Sequence, residues 1–130
     1  MTEIEAAWLA GLFEGEGCIT AVKKANHSSG NQRFLVIKMT DEDVVRKAHL
    51  IAGVGKVYGP YRAANSKVRD TSHYKPFWQW SVFARDEVLL VGNAILPHLG
   101  ERRRAKMLEA LDAVSKLADA RKPKEKQNGP

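Results

Sequence analysis

Residues 9–17 decide the fold, and they read LAGLFEGEG. This run ends a predicted helix with two carboxylates, Glu14 and Glu16, at the pole where the helix macrodipole and unpaired carbonyl groups disfavour negative charge. Fold stability alone does not account for acids at this pole. A divalent cation does, because Mg²⁺ is usually held by one or two carboxylates together with water molecules and substrate phosphates. The run therefore predicts a metal site at the end of the helix.

Two patterns indicate the helix that leads into this run. Thr2 followed by Glu5 is the pattern of a capping box, in which each residue satisfies a free backbone N–H group of the other. Ile4, Trp8 and Leu12 recur at i, i+4 and i+8, which is the spacing of an apolar stripe on a helix.

A second stripe on the same helix contains only small residues, Ala7, Gly11 and Gly15. Glycine inside a helix costs about 1 kcal/mol relative to alanine, so Gly11 needs a reason. One reason is the close approach of another backbone. The other is that Gly11 packs under a bulky side chain of its own chain, with Gly15 and Gly17 as C-terminal caps. The spacing alone does not choose between them.

A two-fold homodimer would explain the small stripe and the acids together. If the helix packs against its own copy, the small stripe forms the seam, with Glu14 beside it, and both Glu16 side chains lie near the axis. Like charges repel at short range unless metal ions lie between them and a phosphate. The hypothesis is a metal-dependent phosphodiesterase site shared by two subunits.

Length and composition fit one modest domain over residues 1–120. A chain of 130 residues with 44% hydrophobic content can bury roughly two-thirds of its unfolded surface. No apolar run reaches the ~18 residues of a membrane span, and the start lacks the regions of a signal peptide. We therefore expect no membrane partner, no secretion, and a cytoplasmic or organellar location. The single Cys18 permits no internal disulfide, and the histidines are not spaced as zinc ligands.

The net charge of +6 favours a polyanionic partner. Half of it lies in residues 121–130, with four basic residues and one acidic residue, a composition that predicts a disordered tail. A second basic block spans residues 61–76, where Asp70 is the one acid among Arg62, Lys67, Arg69 and Lys75. Such a loop is more often plain solvated surface, but beside the helix motif we favour phosphate binding.

Hydrophobic periodicity predicts the remaining elements. Strands are expected over Ile19–Lys24, Arg33–Met39, Val54–Tyr58 and Phe77–Phe83, and helices from a Thr40 cap to Gly53, over Asp86–Leu96 and over Glu101–Ala118. In the last strand, Trp78, Trp80 and Val82 alternate with Phe77, Gln79, Ser81 and Phe83, and the tryptophan side is expected to face the core. The order is α-β-β-α-β-β-α-α, and the helix motif occurs once.

Residues 9–17 and this order of elements resemble the LAGLIDADG homing endonucleases, over roughly residues 4–115. The resemblance implies an α+β fold with an αββαββα core, a saddle-shaped antiparallel sheet that lies in the DNA major groove, and C-terminal helices. One motif per chain implies a homodimer in which the motif helices form the interface. The sequence departs from the family name by Glu at both Asp positions, Glu14 and Glu16, and by Phe13 in place of Ile.

The resemblance also implies roles for individual residues. Glu16 falls on the metal-binding carboxylate, and Glu14 falls on the position nearer a structural role. Lys38 matches, by its offset from Thr40, the polar position that organises water near the scissile phosphate. Arg102 matches a basic residue that stabilises charge on that phosphate. The implied chemistry is hydrolysis by metal-activated water with Mg²⁺, or another divalent cation such as Mn²⁺, and no organic cofactor.

Base reading is expected from the strands, because the major groove admits a two-stranded β-ribbon. About eight residues at ~3.3 Å each cover roughly eight base pairs, so the target should be long and pseudo-palindromic. Alternation does not decide which face of the second strand meets DNA, since Arg33 and Lys38 lie on opposite faces. The candidate DNA-binding residues are Thr20, Val22, Lys24, Arg33, Arg62, Lys67, Arg69, Lys75, Gln79 and Ser81.

The sequence therefore favours a site-specific endonuclease that cuts both strands of double-stranded DNA. Two alternatives on the same scaffold are a non-catalytic DNA-binding module and an RNA-binding splicing cofactor. A binding module does not need an acid at position 16, so Glu16 together with Lys38 and Arg102 favours the enzyme.

Overall fold

A computed structural model describes residues 1–22, 30–62 and 75–117. Within these ranges the elements are α1 (Glu3–Glu16), β1 (Gly17–Ala21), β2 (Arg33–Met39), α2 (Glu42–Ala52), β3 (Lys56–Tyr61), β4 (Phe77–Val82), α3 (Arg85–Ile95), a short 3-10 turn (Leu96–His98) and α4 (Glu101–Ser115). The predicted order of helices and strands is confirmed. None of the helices in these ranges has the length and apolar character that a membrane span requires.

Helix α1 begins with the predicted capping box. The Thr2 backbone N–H donates to Glu5 Oε1 at 2.7 Å, and the Glu5 backbone N–H donates to Thr2 Oγ1 at 3.1 Å. The backbone hydrogen bond from Thr2 stabilises the charged carboxylate and lowers the pKa of Glu5 below its ordinary value of 4.5. Both reciprocal bonds are present, so the sequence pattern correctly located the start of the helix.

The four strands form one antiparallel sheet in the order β1-β2-β4-β3. Ile19 of β1 lies opposite Leu35 of β2, which lies opposite Val82 of β4. In the same way Ile37 lies opposite Trp80. Residues that face each other across neighbouring strands share a face of the sheet, so these side chains make one apolar face.

The helices cover that apolar face, and the core lies between them and the sheet. Leu35, Ile37 and Trp80 are fully buried, together with Leu9 and Phe13 of α1. The predicted tryptophan core face is therefore confirmed. The apolar stripe of α1 is only partly in this core, because Trp8 and Leu12 pack against it while Ile4 remains 84% exposed.

Element boundaries differ from the predictions where long-range contacts decide them. Strand β1 begins at Gly17 rather than Ile19, because α1 runs directly into the sheet and Gly17 already pairs with Ile37. Strand β3 begins at Lys56 rather than Val54. The Val54 carbonyl accepts a hydrogen bond from the Trp80 indole at 3.0 Å, and it is thereby engaged outside the strand ladder.

The predicted cap of α2 at Thr40 is wrong. The cap residue is Asp41, which makes no side-chain capping bond, and the helix begins at Glu42. The predicted end is confirmed at Gly53, whose φ of 73° lies in the left-handed region that glycine adopts without steric cost.

Candidate functional site

Glu16 is the last residue of α1, and its exposed carboxylate makes no hydrogen bond or ion pair with any residue in the described ranges. It lies at one end of the sheet because the next residue, Gly17, pairs with Ile37 near the end of β2. A cleft of about 450 Å³ opens there, lined by Glu16, Lys38, Met39, Thr40, Asp41 and Phe77. The fold thus presents a free carboxylate and a lysine in one cleft.

A second cleft continues from this point across the face of the sheet that lies away from the helices. It has a volume of about 320 Å³ and is lined by Glu16, Cys18, Thr20, Phe34, Val36, Lys38 and Gln79. Glu16 and Lys38 line both clefts, so the structure brings these two predicted site residues together. We call this side of the sheet the polar face, made of residues Cys18, Thr20, Phe34, Val36, Lys38, Lys56, Tyr58, Gln79 and Ser81.

The polar face gathers several of the predicted DNA-binding residues. Lys38 lies opposite Gln79, and Thr20 lies opposite Phe34. Gln79 Nε2 donates to Ser81 Oγ at 2.7 Å, which fixes the two side chains relative to each other. Every charged residue in the four strands is basic, because the strands contain Arg33, Lys38 and Lys56 and no acid.

Arg33 lies on the opposite side of the sheet from Lys38. Its guanidinium pairs with Glu109 of α4 at 2.8 Å and also donates to the Gly30 carbonyl at 2.7 Å. Strand alternation therefore puts Arg33, a candidate DNA-binding residue, on the helix side of the sheet, and Lys38 on the polar face.

The other predicted DNA-binding residues lie at the ends of the strands. Val22 extends β1 by donating its backbone N–H to the Gln32 carbonyl at 3.2 Å. Arg62 and Lys75 are exposed and flank the paired residues Tyr61 and Phe77. Three further predicted residues lie outside the described ranges, namely Lys24, Lys67 and Arg69.

The Glu14 carboxylate, in contrast to that of Glu16, makes a hydrogen bond within the described ranges. Its Oε1 accepts a hydrogen bond of 2.6 Å from the backbone N–H of Gly100, the cap residue of α4. The carboxylate therefore lies at the positive N-terminal pole of α4, which compensates for its position near the negative pole of α1. The expectation that fold stability does not account for an acid at this pole is wrong for Glu14, because the start of α4 stabilises its carboxylate. The same hydrogen bond orients the Glu14 carboxylate toward α4 of its own chain, and the place of Glu14 at a dimer interface stays a prediction.

Arg103 is a residue of this site that the sequence analysis missed. Its guanidinium donates to the Gly17 carbonyl at 2.9 Å and to the Glu14 carbonyl at 3.1 Å, and it lies 5.5 Å from the centre of the Phe13 ring. Three consecutive arginines at the start of a helix were the available signal, since cations are unfavourable there. Which arginine faces α1 depends on the packing of two distant helices.

Arg102 does not lie in the cleft with Glu16 and Lys38. It is exposed and lines a separate crevice of about 190 Å³ with Glu14, Arg103 and Lys106. The structure therefore does not bring together the predicted trio, but only two of its members.

The small stripe of α1 is open on the surface of the chain. Ala7, Gly11 and Gly15 are exposed, and a Cβ atom added at either glycine would meet no heavy atom within 4 Å. The alternative that Gly11 packs under a bulky side chain of its own chain is therefore wrong. Gly17 does have such a neighbour, because an added Cβ would lie 2.3 Å from Phe13 Cδ2.

The chain has the α+β fold of the LAGLIDADG homing endonucleases, with four helices and a four-stranded antiparallel sheet in the described ranges. Solved structures with this fold include the homing endonuclease I-CvuI in complex with its target and calcium, at a TM-score of 0.66 and 22% identity, covering 88% of this chain and 68% of that chain. The meganuclease I-AabMI bound to uncleaved DNA gives a TM-score of 0.63 at 18% identity, covering 85% of this chain and 36% of that chain.

A third similar structure is the archaeal intron-encoded homing endonuclease I-Vdi141I complexed with DNA, at a TM-score of 0.60 and 13% identity, covering 85% of this chain and 67% of that chain. No protein-family model matches the sequence, and no curated protein sequence matches it. At these identities the likeness establishes the fold, and the activity has to be argued from the site itself.

Proposed function

We propose that the chain is a sequence-specific, divalent-metal-dependent endonuclease of double-stranded DNA that acts as a homodimer. The observation that carries this proposal is Glu16. It ends α1 with an exposed carboxylate that no described residue engages, at the edge of a sheet face whose strands carry basic and no acidic residues. An unpaired acid where a polyanion would bind is unfavourable for binding alone, so it points to a cation between carboxylate and phosphate.

Basic strands and clefts along the polar face support DNA as the ligand. Lys38 and Lys56 supply positive charge, while Thr20, Gln79 and Ser81 supply hydroxyl and amide groups that can hydrogen-bond base edges. At ~3.3 Å per residue, a strand such as β2 covers roughly seven base pairs, which is the scale of one half-site.

The open stripe of α1 supports a homodimer. Ala7, Gly11 and Gly15 leave room for a second backbone, and Ile4 is 84% exposed on the same side of the helix. A second copy packed there would bury Ile4 and bring the ends of both α1 helices beside the two-fold axis. Each subunit would then contribute one Glu16 to a shared site and one polar face to a pseudo-palindromic target.

The residues at the end of α1 fit a hard divalent cation. Carboxylate oxygen is a preferred ligand of Mg²⁺, and no residue in the described ranges engages the carboxylate of Glu16. The described ranges contain no group of three potential ligands, so the remaining ligands would come from the second copy, water and DNA phosphate. When bound, such a cation lowers the pKa of water and offsets charge on the phosphate.

Lys38 would act beside Glu16 in the same cleft. Its ammonium group can hydrogen-bond a non-bridging phosphate oxygen and stabilise the negative charge that develops there during hydrolysis. Arg102, exposed in the neighbouring crevice, would contribute to DNA affinity rather than to the reaction. No covalent intermediate on a side chain is required.

The test compares Glu16→Gln with Glu14→Gln on DNA that carries a selected target site. Glu16→Gln keeps the size of the side chain and removes its charge, so cleavage should fall by several orders of magnitude while DNA affinity in Ca²⁺ is retained. Glu14→Gln should lose less activity and more stability, because its carboxylate holds the start of α4.

The target is obtained first by selecting cleaved sites from a random DNA library in Mg²⁺. Full cleavage by Glu16→Gln, or by wild type in chelator, would refute the metal-dependent mechanism. Binding without cleavage by wild type would support the DNA-binding module. Preference for RNA over duplex DNA of the same sequence would support the splicing cofactor.

A further inference from the structure

The end of α1 is fastened to the start of α4 on both sides of Glu16. Arg103 donates to the carbonyl of Glu14, two residues before it, and to the carbonyl of Gly17, one residue after it. The Glu14 carboxylate adds a third hydrogen bond between these two elements, because it accepts the Gly100 backbone N–H at 2.6 Å. We call this set of contacts the clasp, made of Glu14, Gly17, Gly100 and Arg103.

The clasp satisfies groups that a helix normally leaves free. The last four carbonyl groups of an α-helix have no partner within the helix. At the end of α1 the backbone also passes from helical to extended conformation between two consecutive residues, Glu16 and Gly17. The Arg103 guanidinium donates to one carbonyl group on each side of this transition, that of Glu14 in the helix and that of Gly17 in the strand. The two N–H donors of one planar group therefore fix the relative position of the last turn of α1 and the first residue of β1.

Other contacts hold Arg103 itself in place. The guanidinium lies 5.5 Å from the centre of the fully buried Phe13 ring, and the residue is only partly exposed. A cation in this position also offsets the negative pole of α1, at which Glu16 adds a further negative charge. The Glu16 carboxylate makes no hydrogen bond or ion pair with a described residue, so its position depends on the backbone, which its neighbours in the clasp hold in place.

We propose that Arg103 is a positioning residue for Glu16, which fixes the backbone that carries this carboxylate and so sets its affinity for a divalent cation. The inference rests on the proposed function, since it assigns Arg103 to the same site. It differs from the role expected for Arg102, because Arg103 does not line the cleft that Glu16 shares with Lys38 and acts through the carbonyl groups on either side of Glu16.

Three variants of the full-length protein separate geometry from charge. Arg103→Met removes the charge and both hydrogen bonds of the guanidinium, while Arg103→Lys keeps the charge but lacks the planar group that makes two hydrogen bonds at once. Lys106→Met is the matched control. It removes a positive charge from the same crevice, and Lys106 makes no hydrogen bond within the described ranges. Each variant is assayed for DNA affinity in Ca²⁺, for cleavage across a Mg²⁺ titration, and for amide hydrogen exchange.

We expect Arg103→Met to raise the Mg²⁺ concentration for half-maximal cleavage by tenfold or more, which is the scale of losing a group that orients a metal ligand. Cleavage at saturating Mg²⁺ and DNA affinity should change much less. Arg103→Lys should recover only part of the loss, and Lys106→Met should resemble wild type. Exchange of the Gly17 amide, which donates to the Phe13 carbonyl, should speed up in both Arg103 variants.

Each result decides one of the two proposals. An unchanged Mg²⁺ dependence in Arg103→Met, with wild type active, would overturn the positioning role, as would full recovery by Arg103→Lys. A purely structural role would lower stability and cleavage at every Mg²⁺ concentration without moving the midpoint. If wild type cleaves no DNA, the proposed function fails, and unaltered Gly17 exchange in Arg103→Met would separately refute the clasp.

Discussion

Adding one methyl group at Gly17 should destabilise the protein by about 1–2 kcal/mol. A Cβ atom at this position would lie 2.3, 2.4 and 2.6 Å from three ring atoms of Phe13. The ring would have to retreat by about 1 Å to reach an ordinary carbon contact of about 3.5 Å. Phe13 is 1% exposed and lies within the buried core cluster, so the ring can retreat only into the core and the Gly17→Ala variant is overpacked.

The magnitude follows from two opposing effects. Overpacking a well-packed core costs about 1–3 kcal/mol. Alanine tolerates the observed φ of −83° and ψ of 156°, and replacing glycine there recovers about 0.4–1 kcal/mol by restricting the unfolded chain. The net loss corresponds to a fall in Tm of about 4–8 °C for a chain of this length.

The assay is urea unfolding at one fixed protomer concentration, because the proposed dimerisation would make stability depend on concentration. A double-mutant cycle with Phe13→Leu isolates the contact. The smaller side chain makes room for the methyl group, so the two losses should be less than additive, with a coupling of about 1 kcal/mol. A Gly17→Ala protein as stable as wild type, or strictly additive losses, would refute the steric explanation.

Other predictions follow from the proposed dimer, the charge distribution and the helix cap. Gly11→Leu should give a folded monomer by sedimentation that no longer cuts both strands; an unaltered dimer would contradict the seam. Removal of residues 121–130, which hold +3 of the +6 net charge, should weaken non-specific DNA binding and reduce its dependence on salt concentration. The Arg62→Gln substitution should instead change the affinity for targets that differ in their flanking bases. Since the pKa of Glu5 is lowered, its cap stabilises the fold fully above pH 4.5 and loses this effect as pH falls through the folded pKa; Glu5→Gln should remove that acid-side slope. Wild type should prefer thymine to deoxyuridine in its target, and Phe34→Ser should lose that preference, because Phe34 offers an apolar surface on the polar face.

Local patterns were sufficient for much of the fold. The Thr2 capping box located the start of α1, and strand alternation gave the bounds of β2 and the tryptophan core face of β4. These features depend on neighbouring residues or on a period of two, and both can be read along one stretch of chain. The end of α2 at Gly53 is local in the same sense.

Features that depend on distant contacts were not predictable from these patterns. Nothing within residues 9–17 indicates that the Glu14 carboxylate bonds to the start of α4 while that of Glu16 bonds to no residue that the structure describes. In the same way, three consecutive arginines do not show that Arg103 rather than Arg102 faces α1. Arg33 was ambiguous because strand alternation assigns opposite faces without saying which one the helices cover. The ion pair with Glu109 resolves it.

The two faces of the sheet differ in how freely their residues can be substituted. The core positions of β2 and β4 lie on one side, while Thr20, Gln79 and Ser81 lie on the other and are absent from the buried cluster. All three side chains are partly exposed, and surface substitutions away from a core usually alter stability by less than about 0.5 kcal/mol. Under the proposed function, a lineage could therefore acquire new DNA targets one residue at a time while each intermediate protein remains folded.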